Sequence, residues 1–406
     1  MSFVGSAARF VFDKLPLAIV STFLFAMIIV VVIVGRRRMV ERHVLGRCRE
    51  KFPREVLTDA LAGIAAGYIG SFLLFFLGIT VNFEGFFYVL LIAFGLMLLD
   101  IRFLCFAYAA GLLSLVSLLF GRPILHVPGI LALVAVLHIM ESLLILVIGD
   151  RGALPVYFRR REETVGGYLL QRIWPIPLLG LTMLGGTGLS GGTSISTPAW
   201  WPLIPAKLIN VPADSVTFAF MPLTAALGYG DISLVSTPRR KAVYSATSLG
   251  LYSMILLLLA MGAVRVPALS WLAALFAPCG HEFVLYLGRR AELRGQPVFA
   301  MGEDGVTILS VLPGSPAARL GLKPGGIITR VNHYAVRTKA EFGARLAESP
   351  IIRTITTILP GGSGERSHDL RGDPGQFGLI LVPDPGEPAQ VDIKPWHFLP
   401  VRKNAG

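Results

Sequence analysis

Nine apolar runs dominate the first 280 residues, near 16–35, 57–80, 86–99, 103–120, 129–149, 170–186, 214–236, 243–263 and 267–280. A helix needs about 20 apolar residues to cross a hydrocarbon core about 30 Å thick. Most of the runs approach that length, while 86–99 and 267–280 fall short of it. The pattern predicts a polytopic α-helical membrane protein of about 8–9 spans. The run at 16–35 lacks a small-residue cleavage site and reads as an anchor, not a removed signal peptide.

Near residue 280 the long apolar runs give way to short alternating ones. Gly305 to Val311 alternates and is β-branched, which predicts a strand. Pro313-Gly314 turns the chain, Ser315 caps a short helix with Pro316 at its first position, and Gly321 ends it. Ile327 to Val331 reads as a second strand. Thr338 to Glu348 places Phe342, Leu346 and Ala347 on one face of an amphipathic helix. Ile351 to Leu359 and Phe377 to Val382 supply closing strands. The chain thus divides into a transmembrane domain at 1–280, a C-terminal α+β module with its juxtamembrane lead-in at 281–384, and a polar, proline-rich tail at 385–406 expected to be flexible.

The words PGSPAARLGLKPGG and IITRVN, with turn, cap and strand signals in register, make residues 283–384 resemble a bacterial-type PDZ domain. One departure is Gly326, which stands where that family usually has Asp. The resemblance implies a groove in which an extended chain end adds as a strand beside a helix, with main-chain hydrogen bonds for affinity and side-chain pockets for specificity. In such domains the loop that receives the terminal carboxylate precedes the first long strand. Tyr286, Leu287, Gly288 and Arg289 stand in that place, and Phe342 and Leu346 would form the opposite wall. The alternative for 281–293 is a juxtamembrane amphipathic helix, and the residues leave both open.

Composition agrees with the pattern: 54% hydrophobic and 15% charged residues, with a mean hydropathy of +0.67, lie outside the soluble globular range. The net charge of +12 changes the picture only through its placement. Basic residues gather in alternate loops, at Arg36–Arg38 with Arg42, Arg47, Arg49, Lys51 and Arg54, at Arg151 and Arg159–Arg161, and at Arg239–Lys241. Held on the cytoplasmic side, these loops put the N-terminus outside and the module inside the plasma membrane. The charge is then a topology signal rather than a nucleic-acid footprint, although the Arg36–Arg38 cluster also suits anionic headgroups. Trp200 and Trp201 suit a bilayer interface. Cys48, Cys105 and Cys279 lie far apart without a CxxC pair, which suggests neither a disulfide framework nor a zinc site.

Candidate chemistry is sparse. His281-Glu282-Phe283-Val284-Leu285 begins like the HExxH of metalloproteases but ends in leucine. Gly188-Leu189-Ser190-Gly191 matches the GxSG of rhomboid-type proteases, yet His281 is expected at the opposite membrane face from Ser190. Gly228-Tyr229-Gly230-Asp231 looks like a potassium-filter fragment without its Thr-Val, and a kinked helix end accounts for it better. His138 and Glu141, one turn apart in the fifth span, are the oddest pair: an ionisable group there costs about 2.5–3.5 kcal/mol on insertion scales. They either satisfy each other or a neighbouring helix, or couple to protons or ions. No catalytic constellation emerges, and neither metal nor cofactor is expected.

The layout of spans, basic inner loops and a C-terminal PDZ module, with the segments LHIMESLLILVIGDRGALPVYFRRR and APCGHEFVLYLGRRAELRGQPVF, resembles the MinJ-type topological determinants of Gram-positive bacteria. That resemblance implies a non-enzymatic scaffold at the division site or pole, bridging a polar coiled-coil protein and the Min division inhibitor. A homo-oligomer is compatible with it. The rival classes are a PDZ regulator or degenerate relative of an intramembrane protease, and a transporter with an accessory PDZ domain.

Overall fold

A computed structural model describes residues 3–392 apart from 47, 49, 82, 161–162, 186–197, 206–215, 303, 349–351, 361–363 and 372–376. The apolar part begins with α1 (Phe3–Leu45), α2 (Phe52–Phe76), α3 (Phe83–Met97), α4 (Phe106–Phe120) and α5 (Val127–Ile148). It resumes with α6 (Pro238–Ala263) and α7 (Ala268–Arg294). Among the described residues, α2, α5, α6 and α7 are long and apolar enough to cross a membrane, and α3 and α4 are shorter apolar helices. Pro at the first turn of α2, α5 and α6 costs no hydrogen bond, because those N–H groups have no partner within the helix. Helix α5 is central, with Leu131 to Leu137 buried along their whole length.

Two of the expected spans are not helices. The runs at 170–186 and 214–236 fall largely on β2 (Glu163–Gly185) and β3 (Val216–Ser233), which pair antiparallel from Tyr168 opposite Ser233 to Gly185 opposite Val216. Gly228-Tyr229-Gly230-Asp231 is accordingly strand, not a helix end. The physical reason lies in Pro175 and Pro177. Inside a helix each would remove a hydrogen bond and clash with the preceding turn, whereas on a strand edge neither leaves a donor stranded.

That edge of β2 faces α1, α2 and the segment after α2, and three of its backbone groups find partners there. Arg37 Nη1 donates to Gln171 O at 3.0 Å, Leu179 N donates to Ser71 Oγ at 2.9 Å, and Val81 N donates to Leu181 O at 2.7 Å. Gly63 and Gly67 let α2 lie directly on the strand, since a Cβ at either would collide with the Pro175 or Pro177 carbonyl oxygen. Irregular backbone is tolerated at membrane depth when protein surrounds it in this way. Trp174, Ile176, Leu178 and Leu181 are buried as a result.

The base of the hairpin carries β1 (Leu154–Arg160), which pairs with Glu163–Leu169 of β2. Around it sit buried charges: Arg37 with Glu55 at 2.5 Å, Arg172 with Asp59 at 3.2 Å and with Glu55 at 3.8 Å. Arg38 reaches the same Glu55 at 3.3 Å. Two of the three arginines expected to face headgroups therefore serve internal pairs.

The C-terminal unit follows the expected order closely. Strand β4 (Val306–Val311) leads through α8 (Pro316–Arg319) to β5 (Ile327–Val331) and the short β6 (Tyr334–Ala335). Helix α9 (Lys339–Glu348) comes next, then β7 (Ile352–Ile358), β8 (Glu365–Arg371) and β9 (Leu379–Leu381). The sheet order is β8-β7-β5-β4-β9, with β6 beside β5, the layout of a PDZ domain. Ser315 accepts from Ala318 N at 3.2 Å, the cap its position predicts. Val306, Ile308, Ile328, Val331, Phe342, Leu346 and Ile355 form its core.

The expected loose tail is docked through Asp392. Strand β10 (Val391–Asp392) runs parallel to β1, and Gln390 N donates to Tyr157 O at 2.9 Å. Residues 393–406 lie outside the described part.

Candidate functional site

The groove of the C-terminal unit lies between β9 and α9. Ser315 lies against Gly378, whose positive φ of 72° leads the chain from Phe377 into β9. A side chain is disfavoured at such a φ, which suits glycine to this corner. Strand β9 pairs with β4 on one edge and ends the sheet on the other. A cavity of about 560 Å³ opens there, lined by Leu312, Phe342, Leu346, Phe377, Gly378, Leu379 and Ile380. Its remaining wall comes from Val44, Leu45 and Gly46 at the end of α1, from Pro155 and Tyr157 of β1, and from Gln390.

Helix α9 is held where this wall needs it. Asp384 accepts from Lys339 N at 2.8 Å and from Ala340 N at 3.2 Å, a carboxylate at the positive end of the helix dipole. Lys339 Nζ donates to Glu387 at 2.6 Å and to the Tyr157 hydroxyl at 3.3 Å. Burial pulls the Lys339 ammonium down, but these partners outweigh it and hold it above its ordinary value. Burial also lifts the Tyr157 phenol, so its hydroxyl stays a donor to Leu381 O at 2.9 Å. Tyr168 makes a second such bond to Leu309 O. The C-terminal unit is thus bonded to β1 and β2 rather than hung from a linker.

Of the residues expected to bind a chain end, Phe342 and Leu346 line this cavity. Tyr286, Leu287, Gly288 and Arg289 do not. They lie inside α7, which runs unbroken from the apolar part to Arg294, so the helical alternative for 281–293 is the correct one. Gly288 O instead accepts from Lys241 Nζ at 3.2 Å, in a buried set where Glu292 holds Leu234 N and Val235 N. The glycine-bearing corner is Phe377-Gly378-Leu379-Ile380, at the end of the domain rather than its start. The sequence signal was a Phe377-Gly378 pair ahead of a short apolar strand.

Of the alternatives for His138 and Glu141, His138 takes a neighbouring element as partner, the N-cap of α4. His138 Nδ1 is 2.8 Å from Val134 O, one turn back in α5, and Nε2 is 3.0 Å from Cys105 Sγ. The same sulfur lies 3.6 Å from His281 Nε2. His281 therefore stands beside His138, their ring centroids 5.2 Å apart, while Ser190 lies outside the described residues.

No family model matches the chain. Over 235 residues it is 26% identical to the cell division topological determinant MinJ of Bacillus subtilis, covering 57% of this chain and 55% of that protein. It is 35% identical over 81 residues to the putative serine protease HhoB of Synechocystis, covering 20% of this chain and 19% of that one. A solved PDZ domain of an SdrC-like protein from Listeria monocytogenes aligns at 23% identity and a TM-score of 0.17, covering 20% of this chain and 92% of the domain; so low a score supports no inference. The chain spans about half the length of MinJ and less of HhoB. It is MinJ-like, with apolar helices and a PDZ domain.

Proposed function

We propose that the chain is a membrane-bound adaptor that acts by binding, its PDZ groove capturing the extended end of a protein partner during placement of the division site. The observation that carries this reading is the edge of β9 that no described strand covers, beside a cavity walled by Leu312, Phe342 and Leu346. A chain end added there extends the sheet, and an apolar terminal side chain enters between Leu312, Phe342, Leu346 and Phe377. The likeness to a cell division topological determinant supports the division role. The alternate basic loops support a plasma-membrane protein with its N-terminus outside and the groove inside. The bilayer and a protein partner are its surroundings, with no role for nucleic acid, and self-association is compatible with the scaffold.

A fluorescent fusion of the full chain tests the cellular role. Enrichment at septa and poles, with misplaced septa on deletion, is expected. Uniform membrane fluorescence with normal septa contradicts it. The likeness to a putative serine protease favours a second reading, a PDZ unit that governs proteolysis. It predicts lost processing of a membrane substrate in Ser190→Ala or Glu282→Ala, and unchanged processing removes it.

A further inference from the structure

Cys105, His138 and His281 come from three separate elements: the N-cap of α4, the middle of α5 and the middle of α7. One ligand atom from each, a sulfur and two imidazole nitrogens, lies within 4.8 Å of the others. Both histidines are buried, at 2% and 8% exposure.

Proton bookkeeping makes the cluster unusual. His138 Nδ1 faces the Val134 carbonyl, which can only accept, so that nitrogen carries the proton and Nε2 presents a lone pair to Cys105. Tyr108 donates its hydroxyl proton to Glu282 at 2.6 Å, leaving its oxygen as an acceptor toward His281 Nδ1 at 3.3 Å. His281 Nε2 is then a second lone pair aimed at the same sulfur. A thiol has one proton and satisfies one of them at most. A cation satisfies both nitrogens and the sulfur together.

We infer that Cys105, His138 and His281 bind a zinc-type transition-metal ion within the membrane body. The ligand set is the sulfur–nitrogen mixture zinc prefers. Tetrahedral bonds of about 2.3 Å to sulfur and 2.0–2.1 Å to nitrogen place S and N about 3.6 Å apart. The Cys105–His281 separation of 3.6 Å meets that value, and the Cys105–His138 separation of 3.0 Å opens to it by a small side-chain rotation. Each histidine already has the outer hydrogen bond that fixes a metal-binding ring: Val134 O for one, and the Tyr108–Glu282 relay braced by Arg102 at 3.2 Å for the other. Binding releases the Cys105 proton to solvent. The resulting thiolate and two neutral rings leave one positive charge on the site. Three protein ligands leave the fourth position to water or a further ligand.

The test uses the full chain, purified in detergent from cells grown with zinc, and reads metal content by mass spectrometry. About one zinc per chain is expected for the three-ligand site. Cys105→Ser and His281→Gln are each expected to lose at least ~90% of it, while Cys279→Ser, an exposed cysteine, keeps it. Cobalt exchange into the unaltered chain needs no variant: a thiolate-to-cobalt charge-transfer band with tetrahedral visible bands is expected, and Cys105→Ser removes the former. Zinc absent from the purified chain with no cobalt band on reconstitution, or metal retained equally by the variants, overturns the assignment.

Discussion

At the scale of single residues, the fold is held by charges placed where water is scarce. Glu55 is 1% exposed and answers Arg37, Arg38 and Arg172 at once. Removing one partner from a buried pair leaves an uncompensated charge, at a cost of about 3–5 kcal/mol. Glu55→Ala is therefore expected to lower the unfolding temperature of the detergent-solubilised chain sharply. Asp150→Ala, which breaks the surface pair with Arg239, is expected to cost about 0–1 kcal/mol. A scanning fluorimetry comparison decides it: equal shifts contradict the assigned weights. These arginines were legible as a basic loop but not as internal partners. Loop charge says nothing of what folds back onto it, and Arg172 lies 117 residues from Glu55. The Cys105 cluster was hidden for the same reason, its members standing far apart in sequence and meeting only through helix packing.

At the scale of elements, the unexpected object is the long hairpin of β2 and β3. Apolar runs of 17–23 residues announced spans at 170–186 and 214–236. Run length alone does not separate a helix in lipid from a strand wrapped in helices, because both are apolar on every side. Pro175 and Pro177 were the discriminating signal, two residues apart on one strand edge. The packing that accepts them requires Gly63. Gly63→Leu is expected to destabilise by about 1–3 kcal/mol or more, because the obstacle is the Pro175 carbonyl rather than a movable side chain. Gly95→Ala in α3, with nothing near its Cβ, is expected to be neutral or stabilising. Yield of folded protein on fluorescence-detected size exclusion separates the two, and comparable yields argue against close α2–β2 contact. The PDZ elements were the more legible part, since Ser315, Gly321 and the Phe342–Leu346 face each carry a local signal. The groove corner was misplaced because Tyr286-Leu287-Gly288-Arg289 and Phe377-Gly378-Leu379-Ile380 both offer an apolar–glycine word. Only continuity of α7 with the preceding apolar run distinguishes them.

At the scale of the molecule, the C-terminal unit and the apolar body are joined by hydrogen bonds and a strand pairing. Strand β10 joins β1, Tyr157 and Tyr168 reach PDZ carbonyls, and Lys339 ties α9 to Glu387. The folded Lys339 ammonium titrates above its ordinary value of 10.5. The folded state thus holds its proton longer than the unfolded one, so the contribution is full below the ordinary value and is lost as pH rises through the higher folded one. Backbone protection of residues 383–392 is expected to fall in strongly alkaline buffer, and Lys339→Met to flatten that dependence. Protease protection across a pH series reads this, and an unchanged alkaline loss in the variant contradicts it. The cavity is walled both by the C-terminal unit and by Val44, Leu45 and Gly46 at the end of α1.

The most direct measurement of the adaptor account is crosslinking in living cells, followed by capture of the full chain and mass spectrometry, for the unaltered protein and for Leu346→Glu. The substitution puts a charge on a groove wall that is also part of the unit's core, so protease resistance of the C-terminal unit is compared alongside abundance. The account predicts that division proteins are recovered with the unaltered chain and lost with the variant at equal abundance in the membrane. Recovery of the same partners by both chains, or of no division protein by either, contradicts it.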